Sequence, residues 1–280
     1  MKTVGVIGAG VMGSGISQVL AQSGLEVVIY DISEASLENS RKTIEKNLTK
    51  LVEKEKMDVE NKEKILKRLH TSNEKQDLKK CQLIIEAATE NMEIKKKIIQ
   101  GLADIINENT ILATNTSSLS ITEISSVAKY PSNVIGMHFF NPVPVMKLVE
   151  VITGIQTDPK VKEIILELSK KAGKTPVLVE EAPGFVVNRI LVPMINEAIG
   201  VLADGVATAH DIDEAMKLGA NHPIGPLALG DLIGLDVTLA IMETLLEEFG
   251  DSKYRPHPLL KKMVRAGYLG RKTGRGFFQY

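Results

Sequence analysis

The run Gly8-Ala9-Gly10-Val11-Met12-Gly13 carries glycines at the Gly-x-Gly-x-x-Gly spacing. That spacing lets a backbone turn tightly and approach a pyrophosphate, whose charge the amino end of the following helix stabilises. Alone it is weak, since most glycine turns serve backbone geometry only. Its context strengthens it: Lys2 to Ile7 reads as a short strand, Ile16, Val19 and Leu20 bury one face of a helix, and Gly24 suits the position just past its end. A second strand, Glu26 to Tyr30, delivers Asp31 eighteen residues after Gly13, where a carboxylate binds the ribose hydroxyls of an adenosine. Asp31 and Glu34 repel a 2′-phosphate and no arginine is nearer than Arg41, so the cofactor expected is NAD and not NADP. The competing account is a tight turn followed by a solvated acid.

Oxidising a secondary alcohol by hydride transfer also needs a base for the hydroxyl proton, and a neutral histidine suits that at pH 7. Of five histidines, His138 ends the apolar run Val134–Phe140. Asn141-Pro142-Val143-Pro144-Val145 breaks that run and Lys147–Thr153 begins another. If the two pair as a hairpin, symmetry about Pro144 sets Glu150 opposite His138, with Cβ atoms about 5 Å apart. Glu150 interrupts Leu148-Val149-Glu150-Val151-Ile152, where an unpaired buried charge is costly, so it needs a partner. As a catalytic pair, Glu150 fixes the imidazole tautomer and stabilises the imidazolium formed when His138 takes the proton. A structural ion pair bracing the hairpin is the alternative. Asn115-Thr116-Ser117-Ser118, after the strand Thr110–Thr114, and Asn188, at the head of an apolar helical stripe, are two further polar groups that could complete a site. Singly, each also suits a turn or a helix end.

The elements that must position these groups alternate. Strand-like runs at Leu83–Ala87, Thr110–Thr114 and Val134–Phe140 are separated by helix-like polar segments, as in a parallel sheet covered by helices. The region from about Asn39 to His70 reads as a charged helix-turn-helix insertion. A helix over Pro159–Ala172 and a strand over Thr175–Val179 precede Glu181-Ala182-Pro183-Gly184, the expected domain junction. Beyond it everything reads as helical, with Val192, Ile195, Ile199 and Leu202 as one stripe and a further apolar helix from about Leu235. The fold class expected is α/β: a Rossmann-type doubly wound sheet over residues 1–181 and an all-helical domain over 182–280. Apolar faces this wide on so small a helical domain call for a partner subunit.

The chain as a whole bounds the rest. With 34 basic and 35 acidic side chains in 280 residues the net charge is −1, which lacks the basic footprint of a nucleic-acid binder. Cys81 is the lone cysteine, so no internal disulfide forms, and no cluster of metal ligands is expected. With no apolar leader and no run long enough to span a bilayer, the chain reads as cytoplasmic. Lys42, Lys46, Lys50 and Lys54 recur every four residues and form a basic column on the inserted helix. Such a column commonly solvates a helix face, and Glu45, Glu53 and Glu55 interleave here. A substrate with several phosphates gives it something to bind.

These segments together resemble the 3-hydroxyacyl-CoA dehydrogenase family. The resemblance rests on Gly8–Gly13, Asn115-Thr116-Ser117-Ser118, His138-Phe139-Phe140-Asn141-Pro142, Lys147-Leu148-Val149-Glu150 and Pro183-Gly184-Phe185-Val186-Val187-Asn188-Arg189, in order across both expected domains. It implies exchange of a short-chain 3-hydroxyacyl-CoA with its 3-ketoacyl-CoA, such as 3-hydroxybutyryl-CoA with acetoacetyl-CoA, using NAD(H). It implies His138 as base, Glu150 as its partner, and Ser117 and Asn188 on the substrate oxygens. Cofactor contacts are implied for the residues of Gly8–Gly13, Asp31, Glu90, Lys95, Asn115, Ser117, Asn141 and Lys272, and CoA contacts for Lys50 and Lys54. It further implies a homodimer or higher homo-oligomer, with the helical domain supplying the subunit contact and part of the substrate cleft. A non-catalytic, crystallin-like dinucleotide binder and a dehydrogenase of a 3-hydroxy acid not joined to CoA are the competing functions.

Overall fold

The computed structural model describes residues 1–280. The chain divides into two compact units, Met1–Glu181 and Ala182–Tyr280.

In the first unit, β1 (Thr3–Ile7), α1 (Val11–Gln22) and β2 (Glu26–Tyr30) form a strand–helix–strand crossover. α2 (Glu34–Glu53) and α3 (Val59–Lys67) follow, then β3 (Leu69–Ser72), β4 (Leu83–Glu86), α4 (Met92–Gly101), β5 (Ile111–Thr114), α5 (Ile121–Ser125), β6 (Val134–Phe139), β7 (Leu148–Thr153), α6 (Pro159–Lys171) and β8 (Thr175–Glu180). One eight-stranded sheet runs in the order β3-β2-β1-β4-β5-β6-β7-β8. β1 to β6 are parallel, β7 is antiparallel to β6, and β8 is parallel to β7. The order reverses between β1 and β4, and in doubly wound sheets ligands bind at such a switch point, beyond the carboxyl ends of the strands.

The central strands read as unbroken apolar runs because helices cover both faces. Val4, Val6, Val27, Ile29, Leu83 and Ile85 are buried and pack with Ile16 and Leu20 of α1 and Ile44 and Leu48 of α2. All six residues of β6 are buried.

The helical pair between β2 and β3 differs from the expected insertion over about 39–70. Ser33 accepts the N–H of Ser36 and caps α2, so the helix starts five residues earlier than its charged stretch indicates. The pair is the crossover connection itself, lengthened, and it ends in β3, a strand the sequence did not reveal.

The second unit contains α7 (Val187–Ala203), α8 (Ala209–Gly219), α9 (Pro226–Ile233), α10 (Leu235–Phe249) and α11 (Pro258–Arg265). Ile195, Ile199, Leu227, Leu235 and Leu260 form its core, with Val192, Met242, Leu245 and Tyr254 in a satellite cluster. It is not helical throughout. From Gly270 the chain forms a bridged loop and tail, hung on the buried Asp231, whose carboxylate accepts the N–H of Phe277 and Phe278 and the Tyr280 hydroxyl. Burial raises the Asp231 carboxyl above its ordinary value, and these three donors oppose that.

Candidate active site

The glycine loop leaves β1 at its carboxyl end. Gly8 has φ +101°, and a Cβ there would meet the Ala87 carbonyl oxygen at 2.7 Å; a Cβ on Gly13 would fall 1.8 Å from the Gly8 carbonyl oxygen. Both glycines therefore serve the turn and its packing. Gly10 is different, because a Cβ there meets nothing within 4 Å. Gly10 also caps α1 without any side-chain hydrogen bond, and no acidic residue occupies the first turn. The amino end of α1 thus presents unsatisfied N–H groups beside a hollow of about 370 Å³. Asp31 closes the loop: one oxygen accepts Ala9 N–H at 2.8 Å and the other accepts Ser33 N–H at 2.9 Å. A dinucleotide fits this arrangement, with pyrophosphate at the helix end and an adenosine ribose on Asp31.

The hollow is lined by Ala9, Gly10 and Ser14, by Asn141 to Pro144, and by Ser36, Asn39, Ser40, Thr43 and Asn47 of α2. At about 100° per residue, Lys50 falls on the arc of α2 that carries these hollow-lining residues and Lys54, just past the last turn, continues that line; Lys46 stands about 20° beyond Asn39 at the edge of the arc, and Lys42 has turned about 60° beyond it. Lys42 is instead paired with Glu38 at 2.6 Å.

A second group stands at the ends of β4 and β5. Glu90 accepts Thr116 Oγ at 2.8 Å, Ser117 N–H at 2.7 Å and Ser117 Oγ at 2.8 Å, all on one carboxylate oxygen. Its other oxygen lies 3.7 Å from Lys95 Nζ. Lys95 is only 1% exposed and donates to Glu86 at 2.6 Å, while Thr114 Oγ donates to the same Glu86 oxygen at 2.8 Å. What Lys95 offers a ligand it therefore offers from inside a buried ion pair beneath the rim. Asn115 gives its side-chain oxygen to Phe139 N–H at 2.8 Å, tying the rim to β6.

The register of the β6–β7 hairpin sets His138 against Glu150, the pairing that symmetry about Pro144 predicts. His138 Nδ1 is 2.8 Å from Glu150 Oε2, and the two residues are 6% and 1% exposed. Phe140 flanks the imidazole, with ring centroids 4.3 Å apart. In the second unit, Asn188 lies in the first turn of α7, and Lys272 is 2.6 Å from an Asp236 oxygen.

Sequence reasoning missed Glu86 and the polar stripe Ser36-Asn39-Thr43-Asn47. The stripe carries a signal at helical spacing, small hydrogen-bonding residues three and four apart beside the buried Leu37, Ile44 and Leu48. Glu86 carries none, because it reads as the polar end of a strand.

Residues 3–182 match the NAD-binding domain of 3-hydroxyacyl-CoA dehydrogenase, and residues 184–280 match the C-terminal domain of the same enzymes. The chain belongs to the 3-hydroxyacyl-CoA dehydrogenase family. Family membership implies use of NAD(H), in agreement with the glycine loop and Asp31. The chain is 58% identical to a 3-hydroxybutyryl-CoA dehydrogenase of Clostridioides difficile over 275 residues, 98% of each chain. It is 50% identical to a 3-hydroxybutyryl-CoA dehydrogenase of Bradyrhizobium diazoefficiens over 280 residues, all of this chain and 96% of that one. Among solved structures it is similar to the (S)-3-hydroxybutyryl-CoA dehydrogenase of Ralstonia eutropha, with a TM-score of 0.98 and 53% identity over 100% of this chain and 99% of that one. No helix of this family member is long and apolar enough to cross a membrane.

Proposed function

We propose that this chain interconverts (S)-3-hydroxybutyryl-CoA and acetoacetyl-CoA with NAD(H), acting in the cytoplasm. The observation that carries the reading is the 2.8 Å contact of His138 with Glu150 at the carboxyl end of β6, in the same sheet as the glycine loop. Bound NAD⁺ supplies the hydride acceptor. With Nδ1 engaged by Glu150, Nε2 of His138 takes the substrate hydroxyl proton as the C–H bond gives up its hydride, and the alcohol becomes a ketone. In reduction the same nitrogen returns that proton. Glu150 fixes the tautomer and neutralises the imidazolium, a role its burial makes effective.

The glycine loop from Gly8 to Gly13 and Asp31 hold the dinucleotide in this reading, with Glu90, Lys95, Asn115 and Asn141 along the rim. The Asp31 carboxylate disfavours a 2′-phosphate, so NAD is preferred over NADP. Lys50 and Lys54, at the carboxyl end of α2 beyond the hollow, receive the phosphates of the CoA portion. Ser117 and Asn188 hold substrate oxygens and Lys272 contacts the cofactor; Ser117→Ala and Asn188→Ala then raise KM for the CoA ester, and Lys272→Ala raises KM for NADH. Val186, Ile190, Leu218, Leu232 and Val237 of the helical unit are exposed apolar residues that a second copy covers, giving a homodimer.

The test is an absorbance assay of acetoacetyl-CoA with NADH, with NADPH, and against a longer ketoacyl-CoA. The reading predicts turnover with NADH far above NADPH and with the short ester above the long one. Dinucleotide binding without turnover of any ketoacyl-CoA would instead identify a non-catalytic binder.

A further inference from the structure

Lys174, in the turn between α6 and β8, is 8% exposed. Its ammonium donates to the carbonyl oxygen of Val143 and, at 2.7 Å, to that of Met146. Both acceptors are neutral main-chain groups, and a buried charge held by neutral acceptors is costly. Burial and the neighbouring Lys147 lower the Lys174 ammonium below its ordinary value, which records the same cost. An apolar side chain would fill the space without it. What the charge adds is a pair of charge-assisted hydrogen bonds that turn two loop carbonyls inward.

Those carbonyls belong to the β6–β7 connection. Its other side, Asn141 to Pro144, lines the hollow beside the glycine loop. Val143 is pressed against α1, since a Cβ on Gly15 would lie 2.8 Å from Val143 Cβ. The amides of Val145 and Met146 both donate to the Pro142 carbonyl, closing the loop on itself. The loop is thus clamped between α1 on one side and a single cation on the other.

We propose that Lys174 is a positioning residue for dinucleotide binding, holding the loop that carries Asn141 at the edge of the cofactor site. The inference rests on the cofactor reading above and extends it to a residue remote from the glycine loop. It separates two functions of the hairpin: strand register sets His138 against Glu150, and Lys174 sets the loop beyond them.

The experiment compares wild type with Lys174→Met by NADH fluorescence titration, by amide hydrogen exchange at Val145 and Met146, and by kinetics at saturating NADH. The expected result is an NADH Kd raised about tenfold, faster exchange at those two amides with the central strands unchanged, and kcat within about threefold of wild type. Lys174→Gln, which keeps a neutral donor, falls between the two and serves if the methionine variant does not fold. An NADH Kd within about twofold of wild type in folded Lys174→Met, or in Lys174→Gln where the methionine variant does not fold, overturns the proposal, as does uniform acceleration of exchange across the sheet with no selective effect on the loop. Failure of wild type to bind NADH overturns the cofactor reading, and this inference with it. Normal wild-type binding with unaltered variant affinity overturns this inference alone.

Discussion

The side-chain oxygen of Asn115 accepts the backbone N–H of Phe139 at 2.8 Å, so the loop after β5 is fastened to β6 one residue from His138. A rim residue that a ligand can touch is in this way also a brace for the strand that carries the base. Asn115→Ala leaves the N–H of the buried Phe139 without that acceptor. It should lower stability by about 1–3 kcal/mol and lower kcat as well. Urea unfolding and steady-state kinetics on the same preparation check both; a variant with unchanged stability would show that the N–H finds another acceptor.

Gly10 and Gly13 should respond to alanine in opposite ways. Gly10 has φ −72° and open space where a Cβ would go, so Gly10→Ala should fold with a near-native Tm yet bind NADH more weakly, because the methyl group takes pyrophosphate space. Gly13→Ala drives a methyl into the Gly8 carbonyl and should lower Tm as well as affinity. Paired melting curves and NADH titrations decide this, and equal losses of Tm in both variants would contradict it.

Much of this was readable from residues alone. The glycine loop, Asp31 and the His138–Glu150 pairing follow from spacing, because strand period and hairpin symmetry are local rules. β3 escaped because Leu69-His70-Thr71-Ser72 is a short edge strand with one buried apolar residue and no run to mark it. The tail after Gly270 escaped because Asp231 organises it from about forty residues away, a contact no local pattern announces. Lys174 and Glu86 look like solvated charges at element ends; only tertiary packing buries them.

Lys50 and Lys54 carry a prediction that separates them from the rest of the lysine column. Lys50→Ala with Lys54→Ala should raise KM for acetoacetyl-CoA several-fold and weaken its dependence on ionic strength. Lys42→Ala, on a different arc of α2 and paired with Glu38, should leave both nearly unchanged. Equal effects from the two changes would return the column to a general solvating face.

Cys81 is buried, and desolvation pushes its thiol up to about 11 from an ordinary 9.0. Between those values the unfolded chain loses the thiol proton while the folded chain keeps it, so the folded state binds more protons. Stability from this group is fully present below about pH 9 and is lost as pH rises towards 11. Alkylation by iodoacetamide at pH 8–9 should therefore track unfolding; rapid labelling of the native protein would contradict the burial.

The most direct test of the chemistry is replacement of His138 by glutamine, with Glu150→Gln beside it as a check on the partner. His138→Gln should reduce kcat for acetoacetyl-CoA by about 10²–10⁴-fold, with NADH affinity within about twofold of wild type, since the imidazole acts on the proton and not on the dinucleotide. Wild-type turnover in that variant would contradict the account.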